Sequence, residues 1–141
     1  MKTLISRAIV AKLETLEVIK SVEFDKIRLT SDDFMSVECP AIQLIALAET
    51  NEHERSRAKK LWNIALELVM KSTPEAPLSQ VDLWNTQYRV ERVLWSLPNL
   101  GIPGVIHLRY LGNQTDLHLI EPYYVVRMDL EALYYDPLVT D

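Results

Sequence analysis

The 141-residue chain carries 15 Lys and Arg against 20 Asp and Glu, a net charge of −5, and 48% of it is apolar. That length suits a single domain, residues 1–141, around one core. The apolar share excludes native disorder over most of the chain, and the acidic balance leaves no basic stripe to grip nucleic-acid phosphates.

Cys39 is the only cysteine, which rules out an intrachain disulfide and any multi-cysteine metal knuckle. Apolar runs are too short to span a bilayer, so no membrane partner is expected. Met1-Lys2-Thr3-Leu4-Ile5 lacks both the apolar run and the cleavage site of a secretory signal, so retention in the cytoplasm until lysis is expected. Gly101, Gly104 and Gly112 are too few for a phosphate-cradling loop, and no cofactor is expected.

Ile5, Ile9, Leu13 and Leu16 recur at spacings of four and three, which predicts an amphipathic helix over 3–19. Val22 and Phe24 then alternate with charged neighbours, a strand signal over 21–29, before a turn or cap at Thr30-Ser31-Asp32-Asp33. After Pro40, Ala41 to Leu47 reads as a buried strand. Glu49 to Lys60 is wholly polar and is expected to be an exposed loop or hairpin tip. Residues 61–71 favour helix by propensity, yet Trp62, Ile64, Leu66, Leu68 and Met70 all fall on even positions. That period of two predicts a strand.

Pro74 and Pro77 mark a loop, and Ser79 with Asp82 has cap-box spacing for a helix that Pro98 stops after Leu97. The rest reads as strand: Gly104 to Leu111, Thr115 to Ile120, and Tyr123 to Tyr135. A tight turn at Gly112-Asn113 puts Arg109 opposite Asp116, Leu108 opposite Leu117 and Ile106 opposite Leu119. The alternative is a longer excursion from Gly112 to Pro122, with the last strand itself returning along 105–111. We favour the tight turn. The expected fold class is α+β: a two-layer sandwich, mostly antiparallel sheet, with two main helices on one face.

Candidate chemistry is thin. The tight turn sets His107 against His118, half of a zinc site with no third ligand, and paired histidines on a sheet face are the plainer reading. His53 falls in the polar segment. Asp32-Asp33 suits helix capping better than acid-base work, and Ser6, Ser31 and Ser79 have no histidine at a triad-like spacing. No catalytic or metal site is expected.

The second helix is more informative. At 100° per residue Val81, Trp84, Tyr88 and Trp95 share one side, while Leu83, Val90, Leu94 and Leu97 share the opposite one. A helix on its own sheet needs one apolar face. The second is either covered by the first helix or is a subunit interface, for which we single out Trp84, Tyr88 and Trp95. Arg55, Arg57, Lys59 and Lys60 in the polar segment are candidate contacts to a neighbour. From Gln114 onward Asp116, Glu121, Asp129, Glu131, Asp136 and Asp141 face a single Arg127, a bias that would repel DNA phosphates or simply solubilise a sheet face.

In the order of its elements the chain resembles the tail terminator proteins of long-tailed bacteriophages. The resemblance rests on the opening helix around Ile5 to Leu13, the strand Cys39-Pro40-Ala41-Ile42-Gln43-Leu44 entering a charged segment, a returning strand ending Leu66-Glu67-Leu68-Val69, and the closing strand Tyr124 to Tyr135. It departs from the family at the Pro122 interruption. The resemblance implies a structural role without catalysis. A hexameric ring caps the head-proximal end of the tail tube, stops its polymerisation and offers the surface to which head-completion and neck proteins attach. DNA passes through the lumen without specific binding. Location in the virion tail after assembly in the host cytoplasm follows. Competing readings are a head-completion or neck connector subunit, a small cytosolic enzyme or ligand-binding domain, and an adaptor that binds a protein through the tryptophan face.

Overall fold

The computed structural model describes residues 1–24, 39–54, 57–97, 100–115 and 123–136. Within them the order is α1 (Lys2–Leu13), β1 (Ser21–Glu23), β2 (Ala41–Glu54), β3 (Arg57–Lys71), α2 (Gln80–Trp95), β4 (Val105–Thr115) and β5 (Tyr123–Asp136). The strands form one mixed sheet in the order β1-β2-β3-β5-β4. Only β1 against β2 is parallel, and the other three pairings are antiparallel. Both helices pack on one face, so the structure is α+β with a mostly antiparallel sheet.

The even residues of β3 explain the central layer. Trp62, Ile64, Leu66, Leu68 and Met70 are buried against the helices, each aligned with β5: Trp62 with Ala132, Ile64 with Leu130, Leu66 with Met128, Leu68 with Val126. Ile5, Ile9 and Leu13 of α1 and Leu83, Val90 and Leu94 of α2 close this core from above. Burying each such side chain contributes roughly 1.5–3 kcal/mol, far more than the fraction of a kcal/mol per residue by which propensity favours helix. Strand geometry therefore wins over 61–71. On the helix-free face Val69, Tyr123 and Val125 form a second, smaller cluster with Cys39 against it.

The structure corrects the sequence-based expectations at several points. The first helix ends at Leu13 instead of residue 19. There the Thr15 hydroxyl donates to the Lys12 carbonyl at 2.6 Å and the Leu16 amide to the Leu13 carbonyl at 3.1 Å, which tightens the chain out of the α ladder. The first strand is confined to Ser21–Glu23 among the described residues, and Thr30 to Asp33 lie outside them.

Of the loop and the hairpin expected for the charged segment, the structure shows the hairpin, with its strands paired along the segment. β2 continues to Glu54 and β3 starts at Arg57, with Glu49 through Glu54 paired to Trp62 through Arg57. It has no apolar period because neither side of this hairpin arm holds a continuous apolar row.

The tight turn at Gly112-Asn113 is absent. β4 runs straight through it, and the returning partner is β5: Arg109 faces Glu131, and Leu108 faces Ala132. Asp116, Leu117, His118 and Leu119 lie outside the described residues. Gly112 instead sits at a β-bulge with φ +146°, a left-handed backbone that glycine adopts without strain. The Tyr123 to Tyr135 strand is present and one residue longer.

Candidate subunit interface

α2 starts where the Ser79 hydroxyl accepts the Asp82 amide at 3.0 Å, the cap expected from the sequence. Its inward side is set by Leu83, Thr86, Val90 and Leu94, all buried. Helical geometry then forces the opposite row outward. Val81, Trp84, Tyr88 and Trp95 are 58%, 59%, 62% and 71% exposed. Helix α1 packs beside α2 without covering that row, so the second apolar face identified in the sequence is open in one copy of the chain.

Taking about 200 Å² for a full aromatic side chain, the three rings alone leave on the order of 400 Å² in water. That lies within the roughly 300–600 Å² of the largest apolar patch on a typical monomer, a size often tied to function. The row spans about 21 Å at 1.5 Å per residue.

The stripe is organised. Trp95 meets Tyr110 of β4 edge-to-face, with centroids 5.9 Å apart and planes at 81°. The Arg92 guanidinium lies 5.9 Å from the Tyr88 ring centroid. On the other flank Gln87 donates to Glu91 at 2.8 Å, and the Asn113 amide donates to the Tyr110 hydroxyl at 3.1 Å. Burial, with the nearby Glu91 and Asp129 charges, raises the Tyr110 pKa despite the Asn113 hydrogen bond, so this phenol stays protonated at neutral pH.

The hairpin arm is the second candidate surface. Arg57, Lys59 and Lys60 all lie on β3. Arg55 and the Arg57 side chain are outside the described residues. Lys60 is committed within the chain: it pairs with Glu49 at 3.1 Å. Glu49 also pairs with Lys2 at 2.5 Å and accepts from the Tyr134 hydroxyl at 3.4 Å. Burial opposes ionisation of Glu49, but the Lys2 and Lys60 ammonium groups outweigh it and hold the carboxyl below its ordinary value. The base of the arm is thus fixed to α1 and β5, and Lys60 anchors it.

On the helix-free face Arg109 donates to Glu131 through Nε at 3.0 Å, and His107 Nε2 lies 3.4 Å from the same carboxylate. The Arg109 hydrogen bond, helped by His107 and opposed by burial, keeps the Glu131 pKa low. Arg127 donates to Asp129 at 2.9 Å. Two of the acids in the closing segment are therefore ion-paired, and that part of the acidic bias is locally neutralised. His107 lies opposite Leu133, not His118. Among the described residues no group of three or more His, Cys, Asp or Glu could hold a metal, and no helix is long and apolar enough to cross a membrane.

Sequence reasoning missed the bulges. The register shifts leave Leu47 in β2 and Ile106 and Leu111 in β4 exposed. Leu47 and Leu111 rim a groove of about 460 Å³ lined also by Asn63, Arg127 and Asp129. Bulges depend on strand register, which no local residue pattern announces.

No family model and no curated protein matches the sequence. Among solved structures, a chain of the virion of a native gene transfer agent particle superposes with a TM-score of 0.64 over 93% of this chain and 94% of that one, at 8% identity. The two chains share a fold. At that identity the likeness is one of fold alone.

Proposed function

We propose that the chain is a structural subunit of a phage-type virion, the tail terminator, acting as a hexameric ring on the head-proximal end of the tail tube. The observation that carries this reading is the open aromatic face of α2. It supports a chain that completes its packing against other copies. The fold shared with a virion chain over nearly the full length of both supports the same setting.

In a cyclic ring the contact is heterologous: α2 of one copy rests on a different surface of the next, and the rotation closes. The stripe alone falls short of the ~800 Å² per partner of a standard interface. The remainder comes from further contacts, which this reading assigns to the charged arm. Arg55, Arg57 and Lys59 of the arm meet the tail tube or a neighbouring copy, while Lys60 holds the arm to Glu49. The ring's lower face matches the last tube ring, its upper face rejects another and receives the head-completion or neck proteins, and DNA passes the lumen unbound. No chemistry is needed, because each step is recognition between surfaces.

The test is negative-stain microscopy of the purified protein mixed with tail tubes. Six-fold rings at one tube end, weakened by joint alanine substitution at Arg55, Arg57 and Lys59, support the reading. Unchanged capping in that variant removes the arm from the contact surface. Rings that bind heads but not tubes favour a neck connector instead.

A further inference from the structure

We infer that in the free protein two copies pair antiparallel through α2, each covering the other's Val81, Trp84, Tyr88 and Trp95. This deepens the proposed function and rests on its reading of the stripe as a contact surface: pairing holds that surface shut until the tail tube is met.

The stripe is self-complementary in shape. Val81 and Trp95 lie seven positions on either side of Tyr88. A two-fold axis through Tyr88 therefore sets the small Val81 of one copy against the large Trp95 of the other, at both ends at once.

The charges select the direction. Asp82 lies in the first turn of α2 and Arg92 in the last, with Arg89 between Tyr88 and Arg92. All three project to the same flank of the stripe at 100° per residue. About a perpendicular two-fold that flank faces itself with ends reversed, so Asp82 of each copy comes within one turn of Arg92 of the other. A parallel pair would instead turn that flank of each copy toward the opposite flank of the other, where Gln80, Gln87 and Glu91 lie and Asp82 meets no arginine. The two helix dipoles also oppose favourably only when antiparallel. Arg92 already lies beside the Tyr88 ring, within reach of an incoming carboxylate.

The area sets the strength. Four such side chains from each copy bury roughly 1,000 Å² in total, the lower limit for a specific interface and the range of transient ones. A pair of this kind forms at high concentration and opens when a larger contact competes for the same face.

Sedimentation velocity over a concentration series from nanomolar upward tests the pairing, with thermal melts of each variant as the folding control. The wild-type chain is expected to pass from monomer to dimer, Asp82→Arg and Arg92→Asp each to weaken pairing roughly tenfold, and the double variant to regain it. A wild type that stays monomeric throughout overturns the inference, as does a double variant no better than the single ones. The same proteins on tail tubes separate this inference from the ring: six-fold capping by a strictly monomeric free protein sinks the pairing alone, whereas reversible dimers with rescue but no rings sustain the pairing and sink the ring.

Discussion

Leu94 and Trp95 are neighbours in sequence and opposites in structure, and replacing each with alanine separates folding from assembly. Leu94 is 2% exposed inside the core between α2 and the sheet. Its truncation removes buried methyl groups and leaves a cavity, a loss of about 2–5 kcal/mol. Trp95 is 71% exposed, so only a minor share of its large surface leaves water in one copy of the chain. At roughly 25 cal/mol per Å² that share contributes about 1.5 kcal/mol, and the edge contact with Tyr110 adds about 0.5 kcal/mol. Alanine recovers about 0.5 kcal/mol through helix propensity, which leaves a net cost of about 1.5 kcal/mol. Urea unfolding at low protein concentration, where copies are apart, measures both. Leu94→Ala should fall well below Trp95→Ala in midpoint at equal slope, while Trp95→Ala should lose association and Leu94→Ala keep it in whatever fraction folds. Equal destabilisation by the two substitutions would refute the reasoning, since the ring would then be serving its own fold.

Three further outcomes follow from individual contacts. Ser79→Ala removes the acceptor for the Asp82 amide and should cost about 1 kcal/mol in urea unfolding. Glu49 and Glu131 both have lowered pKa values, so each contributes stability that is present above its unfolded value and lost as pH falls through its folded one. Glu49→Gln should therefore flatten the acid limb of the stability–pH curve while costing less than about 1 kcal/mol at neutral pH, as a partly exposed ion pair allows. Arg109→Ala should raise the Glu131 pKa, visible as an upward shift in its carboxyl titration by NMR, because the largest stabiliser of that carboxylate is gone.

What the residues revealed depended on whether a pattern was local. The strand at 61–71 was legible because burial imposes an alternation that no helix can satisfy, and every even residue from Trp62 to Met70 is in the core. The two faces of α2 were legible for the same reason at a different period. The partner of β4 was not. Arg109 finds a carboxylate and Leu108 an apolar side chain in either register, and Gly-Asn reads as a turn although Gly112 here serves a bulge. Choosing between Asp116 and Glu131 requires the path of the chain beyond 115, which pairing rules alone do not supply. The length of the arm is not legible, and the segment reads as a loop or hairpin tip, because strand recognition leans on an apolar face, whereas this pairing is held by backbone bonds and by Lys2, Lys60 and Tyr134 around Glu49. Of the candidate contact residues, Trp84, Tyr88 and Trp95 come together on one surface, whereas Lys60 also pairs with Glu49 within the chain.

Hydroxyl-radical footprinting read by mass spectrometry probes the stripe most directly, comparing dilute free protein with protein bound to tail tubes. Trp84, Tyr88 and Trp95 should be modified readily when free and protected together when bound, since neighbouring copies then shield them. Unchanged modification of all three in a complex that caps the tube would contradict the account.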